Sequence, residues 1–342
     1  MERKENRSEN VKKGLLIAAG VTAAAGACAL LSFSLTNFLL KEALDRKEPA
    51  VIRKAKKKIA GEAVGREILE QASAAAEELK QKCEETVQIT AGYDGITLVG
   101  HWYPAEKPER VIVAMHGWRS SWNFDFGIIS TFLHEKNCSL LLVEQRGQSD
   151  SASGGDYMGF GMIERFDALD WVNYAISEKA GDLPVYLAGV SMGAATVLMA
   201  SGLTLPPQVH GIMADCGYTS AHMIWKHVMQ NNLHLLYGLR GDLVAEICRR
   251  KIQMNPRDCT TTDALRKNLT PVLFIHGTDD HFVPISMTYD NYKACAAPKR
   301  LLVVPGAEHG MSYMVDRERY QAAMVKFWRD FDAYEVPQPQ AE

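Results

Sequence analysis

The 342-residue chain is expected to fold as an α/β protein built on a mostly parallel, eight-stranded sheet with helices on both faces. Three observations predict this. Short apolar runs recur from residue 86 onward, mostly without the polar alternation of a half-buried strand, so they read as strands covered on both faces. Helical patterns separate most of them, notably Met162 to Glu178 and Met192 to Leu203, as parallel crossovers require. In the stretch Leu183 to Ala200, a strand-like run, a Gly-Val-Ser-Met-Gly turn and an Ala-rich helix follow one another without a gap.

Bulk composition narrows the chemistry. A formal net charge of −3 argues against a nucleic-acid partner. The seven cysteines (Cys28, Cys83, Cys138, Cys216, Cys248, Cys259 and Cys295) form no C-x-x-C pair and no metal-ligand spacing, so they read as free thiols. The sequence has no H-E-x-x-H, P-loop or G-x-G-x-x-G pattern, so no metal and no cofactor is expected.

In chain order, residues 1–13 are a basic tail. Residues 14–40 carry no charge, and about 27 residues of helix at 1.5 Å each give roughly 40 Å, more than the ~30 Å hydrocarbon core. This predicts a single-pass transmembrane helix in the cell membrane, with the bilayer as a partner. A cleaved signal or lipoprotein site at Ala25-Gly26-Ala27-Cys28 is the rival, and the apolar run continues well past it. Basic residues flank both ends equally, Arg3, Lys4, Arg7, Lys12 and Lys13 before and Lys41, Arg46, Lys47, Arg53 and Lys54 after, so orientation stays open. Residues 41–85 are rich in Ala, Glu, Lys and Gln. Ile52, Ala55, Ile59, Ile68, Ala72, Ala76 and Leu79 recur near helical spacing, which predicts a helical stalk, and Gly61 and Gly65 argue against one unbroken helix.

The globular domain is expected over residues 86–342. Thr86 to Thr90 and Ile96 to Tyr103 flank Tyr93-Asp94-Gly95 as a hairpin. Val111 to Met115 runs into His116-Gly117-Trp118-Arg119-Ser120, with His116 bracing the loop. Leu140 to Val143 leads to Arg146, expected in a structural ion pair or backbone clamp. Val185 to Ala188 precedes Ser191 on a strand-to-helix turn. Glycines are needed at 189 and 193 because side chains there would collide with the flanking elements. Ile212 to Ala214 ends at Asp215. Residues 219–270 then form an insertion with an amphipathic segment, expected as a small lid in which Trp225 and Met229 contact substrate. Val272 to Ile275 leads to Asp280, and Leu301 to Val304 leads to His309.

A serine hydroxyl is a weak nucleophile at neutral pH. It needs a base, and the base needs a carboxylate to fix its tautomer and stabilise its cation. Ser191, Asp280 and His309 supply these groups beyond successive strand ends. Asp215 is a competing acid. The backbone amides of Trp118 and Met192 are the expected oxyanion donors, the latter at a helix N-terminus.

With these motifs the chain resembles the α/β-hydrolase superfamily over about residues 86–331. Within it the chain is similar to bacterial serine hydrolases of the serine aminopeptidase and lysophospholipase-like group, including forms with an N-terminal membrane helix. The resemblance rests on His116-Gly117, Arg146-Gly147, the turn at Ser191, Asp215-Cys216-Gly217-Tyr218, the segment His276 to Pro284, and Gly306-Ala307-Glu308-His309-Gly310. It implies an α/β-hydrolase fold with the order Ser, acid, His. Its H-G-x-x-D-x-x-V-P pattern selects Asp280 over Asp279, a turn residue. Gln145 and Gln148 replace an aspartate and a histidine usual in such relatives. The expected activity is hydrolysis of a carboxylic ester or thioester of a small or acyl substrate. A peptidase and a noncatalytic membrane-tethered binding protein are the alternatives.

Overall fold

The computed structural model describes residues 30–47, 63–148, 151–238 and 240–337. Its centre is an eight-stranded sheet: β1 (Glu85–Thr90), β2 (Thr97–Tyr103), β3 (Arg110–Met115), β4 (Cys138–Glu144), β5 (Val185–Val190), β6 (Val209–Asp215), β7 (Val272–Gly277) and β8 (Lys299–Val304). The spatial order is β1-β2-β4-β3-β5-β6-β7-β8. β2 runs antiparallel to β1 and β4, and all later neighbours are parallel. The expected hairpin turns at Gly95, whose φ of +75° suits glycine.

Apolar runs without alternation became strands covered on both sides: β3, β4 and β7 are buried at every position. Successive residues of β3 face opposite layers. Val111 and Val113 meet Trp171, Val172 and Val197 from helices Glu164–Ala175 and Met192–Ala200. Ile112 meets Phe126, Phe132, Phe327 and Trp328 from helices Trp122–Glu135 and Arg317–Phe331. Each such large apolar side chain contributes about 1.5–3 kcal/mol by leaving water.

The insertion between β6 and β7 has two parts. Helices Ala221–His227 and Arg240–Ile252 form a third apolar cluster with Phe160, Met192 and Met199 above the carboxyl ends of the strands. Helix Thr261–Lys267 instead packs through Leu265 into the layer beneath the sheet, as an ordinary crossover helix does.

The N-terminal segments meet this domain directly. Residues 30–44 are helical, and their last turn is held by the domain. Leu40 and Leu44 are buried in the third cluster. The Trp118 indole donates to the Ala43 carbonyl at 3.0 Å, Arg119 donates to the Glu42 and Asp45 carbonyls at 2.8 Å, and the Met158 amide donates to Leu44 at 2.8 Å. Carbonyls that a helix C-terminus leaves unpaired are thus satisfied by the domain. Of the segment expected to cross a membrane, residues 14–29 lie outside the described residues. Among the described residues no helix is long and apolar enough to do so. Of the expected stalk, residues 48–62 also lie outside, and helix Ala63–Lys82 lies along Trp122–Glu135 with Ala72, Ala76 and Leu79 buried.

That helix crossing depends on Gly127, where a Cβ would come within 2.8 Å of the Ala76 amide nitrogen and 2.9 Å of the Ala75 carbonyl carbon. Gly127→Leu is therefore expected to overpack the contact at a cost of about 1–3 kcal/mol. Thermal unfolding should show a midpoint lowered by several degrees; an unchanged midpoint would mean the helices do not meet there in solution.

Candidate active site

Ser191 follows β5 directly and opens helix Met192–Ala200 with φ 55° and ψ −112°, a conformation costly for a residue with a Cβ. Two glycines allow it. A Cβ on Gly193 would run into the Met115 carbonyl at the end of β3, and one on Gly189 would run into the Gly193 backbone. The turn is held further by the Ser191 amide on the Asp215 carbonyl at 2.9 Å.

The structure brings together three of the residues selected from sequence. His309, in the loop after β8, has Nε2 2.9 Å from the Ser191 hydroxyl, and its Nδ1 is 2.7 Å from Oδ2 of Asp280. With Nδ1–H donating to the carboxylate, Nε2 is free to accept the serine proton. This arrangement can deprotonate a hydroxyl as it attacks a carbonyl.

Asp280 is anchored from several sides. Its Oδ1 accepts the Phe282 and Val283 amides at 2.9 and 2.8 Å, and the buried His276 places Nε2 3.2 Å from Oδ2. Burial alone would raise its pKa. The hydrogen bonds from His276, His309 and the Val283 amide outweigh it and hold the carboxyl well below the usual range. His276 also contacts Thr288 Oγ1 at 2.6 Å and the Val283 carbonyl at 2.9 Å, bracing the whole turn. Sequence reading used His276 only as part of a motif; its spacing of four from Asp280 was the available signal. Asp279 is exposed and accepts only the neighbouring Thr278 hydroxyl, at 2.7 Å, among the side-chain contacts of the turn.

Asp215, the competing acid, is engaged elsewhere. The Ser312 hydroxyl donates to it at 3.1 Å, Tyr320 bonds it as well, and burial pushes its pKa up. Cys216 brings its sulfur within 4.8 Å of ligand atoms of Asp280 and His309. Burial raises that thiol well above its ordinary range, which disfavours a thiolate.

The loop after β3 is fixed by its neighbours. His116 bonds the Gly117 carbonyl through Nδ1 at 2.8 Å and accepts the Gln145 amide at Nε2 at 3.1 Å; burial lowers its pKa, so it stays a neutral brace. The Gly117 amide donates to Asp125 at 2.6 Å and the Arg119 amide to Gln148 Oε1 at 2.8 Å. Gln145 and Gln148 therefore serve this loop by neutral hydrogen bonds. Arg146 is the expected ion-pair residue, reaching Asp94 and Asp167 at 2.6 Å each.

Trp118 lines two cavities. One, of about 310 Å³, contains Ser191 and His309 and is also walled by Ile68, Leu69 and Ala72 of helix Ala63–Lys82. The other, of about 300 Å³, lies between residues 36–43 and the insertion, and Trp225 and Met229 line it. The contribution of both N-terminal helices to these walls was not foreseen from sequence.

The model of the alpha/beta hydrolase family matches residues 111–323. Among curated proteins the chain is similar to the uncharacterized protein YqkD of Bacillus subtilis, at 24% identity over 252 residues, covering 72% of this chain and 80% of YqkD. Among solved structures it is similar to an esterase of Pyrococcus furiosus, with a TM-score of 0.60 and 19% identity, covering 75% of this chain and 94% of the esterase. It is also similar to Est1E of Butyrivibrio proteoclasticus, solved with ferulic acid, with a TM-score of 0.54 and 20% identity, covering 72% of this chain and 100% of Est1E.

Proposed function

The chain belongs to the alpha/beta hydrolase family, and from that premise we propose that it is a serine hydrolase cleaving carboxylic ester or thioester bonds, tethered to a membrane by the uncharged run that begins at residue 14, whose last residues from Thr36 pack against the domain instead. The observation that carries the catalytic reading is the unbroken hydrogen-bonded series from Ser191 through His309 to Asp280. Ser191 Oγ attacks the acyl carbon while its proton passes to His309 Nε2, and Asp280 stabilises the imidazolium that forms. The carbonyl oxygen becomes an oxyanion facing the amides of Trp118 and Met192. Commitment of the flanking Gly117 and Arg119 amides to Asp125 and Gln148 supports Trp118 as the loop's donor, and the helix N-terminus supports Met192. His309 returns the proton to the departing alcohol or thiol. Water then adds to the acyl-enzyme by the same route, releasing the acid and restoring Ser191. The likeness to a structure named as an esterase is in keeping with ester chemistry.

One set of variants tests this, assayed on p-nitrophenyl butyrate and a butyryl thioester. Ser191→Ala should reduce turnover about 10⁶-fold at an unchanged thermal midpoint. Asp280→Asn should cost about 10⁴-fold, as expected when His309 is left in the wrong tautomer. Asp215→Asn and Asp279→Asn should cost far less. A larger loss for Asp215→Asn than for Asp280→Asn, at equal stability, would move the acid to the end of β6. Failure of the wild-type protein to react with a fluorophosphonate would instead favour a noncatalytic role.

The tether is supported by the uncharged run 14–40 and by its described end, where Leu30, Leu31, Phe33 and Phe38 are exposed on helix 30–44. The protein should stay in the membrane pellet through high-salt and carbonate washes. Release by carbonate would contradict a spanning segment.

A further inference from the structure

We infer that the cavity between helix 30–44 and the insertion is an acyl-chain site, and that the substrate is a lipid-like ester whose single chain enters past the N-terminal helix. The inference rests on the hydrolase reading above and names the substrate class for it.

The walls select the chemistry. Thirteen of the fifteen lining residues are apolar or aromatic, among them Leu39, Leu40, Trp225, Val228, Met229 and Phe282. Of the two polar residues there, Thr36 turns its hydroxyl to the Ser32 carbonyl of its own helix at 2.8 Å. Glu42 has a buried carboxyl oxygen without a hydrogen-bond partner; burial raises its pKa while the nearby Arg119 guanidinium lowers it. Beyond that oxygen and the unpartnered Trp225 indole N–H, the lining side chains offer few partners, so most polar groups of a peptide or sugar would go without hydrogen bonds, at a cost of several kcal/mol. A hydrocarbon chain meets no such penalty. At about 300 Å³, and with roughly 30 Å³ for a water-sized unit, the cavity holds about ten methylenes.

Its position links it to the reacting atoms. Trp118, the proposed oxyanion residue, walls both this cavity and the cleft of Ser191. Phe282, on the far wall, sets its ring 5.0 Å from the His309 ring. Trp118, held by its indole on the Ala43 carbonyl, is the shared wall, and the proposed path for a chain bound at Ser191 runs past it into the apolar space. At the outer end Phe38 lines the cavity while remaining 48% exposed, and Leu30, Leu31 and Phe33 continue the exposed apolar surface toward the uncharged run. An amphiphile held in a bilayer would reach the site without its chain crossing water.

The test uses the full chain in lipid nanodiscs with p-nitrophenyl esters from acetate to myristate, and decanoate binding to Ser191→Ala measured by calorimetry. The expected profile is kcat/KM rising by up to about fourfold per methylene to a chain of about ten carbons and then levelling. Val228→Trp, which fills the cavity from the insertion, should move the optimum several carbons shorter and weaken decanoate at least tenfold. Leu39→Ala, which enlarges it from the N-terminal helix, should move the optimum longer. Ser191-dependent turnover with a flat chain-length profile would overturn the acyl site while leaving the hydrolase reading intact. So would an optimum unmoved in both variants. Decanoate binding that Val228→Trp weakens, in a protein that cleaves none of the esters, would support the chain site and overturn the hydrolase reading.

Discussion

The helix Met192–Ala200 approaches the end of β3 so closely that only a hydrogen on Gly193 fits against the Met115 carbonyl. That contact fixes where the helix starts, and the start fixes the strained turn at Ser191. Three strands share the load. β5 delivers the serine, β3 supplies the surface the helix rests on, and β6 holds the Ser191 amide through Asp215. Asp280 and His309 arrive by separate loops after β7 and β8, the former with its own backbone anchors, so the hydroxyl is the fixed point to which they are fitted.

Two carboxyl groups near this point show how surroundings sort chemically equal residues. Asp280 and Asp215 both follow strand ends and both are buried. Asp280 collects two amides and two imidazoles, which outweigh the cost of burial and keep it ionised. Asp215 has hydroxyl partners, Ser312 and Tyr320, and burial dominates, so its proton is held more tightly. Of the two, Asp280 is the one in hydrogen-bond contact with the His309 imidazole, at 2.7 Å.

The sheet was legible because strands buried on both faces leave uninterrupted apolar runs, and the turn at Ser191 because its glycines are sterically required. Strand ends were less so: β5 continues through Gly189 and Val190 into the turn, where no apolar pattern marks a boundary. His309 was selected by its place after a strand, and Asp280 by that together with the motif that the family resemblance supplied. His276 was not, because a histidine's use as a brace depends on partners brought from Thr288 and Val283. The N-terminal walls were hidden for a different reason. An apolar stripe such as Ala72, Ala76 and Leu79 says that a helix is covered, and whether lipid, a second helix or a domain covers it is decided by distant residues such as Gly127. The cues that helix 30–44 docks, Trp118 and Arg119, lie some seventy-five positions from the carbonyls they bind.

The capture of those carbonyls alters where the smallest self-sufficient piece of this protein begins. Cutting before β1, at the boundary composition suggests, would strip Ala72, Ala76 and Leu79 from helix Trp122–Glu135 and Leu40 and Leu44 from the insertion. It would leave the Trp118 indole and the Arg119 guanidinium facing water in place of a helix end, with the floor of the apolar cavity laid open. The remainder would retain every reacting group yet present two fresh sticky surfaces, the signature of a fragment prone to self-association. An expression boundary that respects this architecture lies ahead of residue 30.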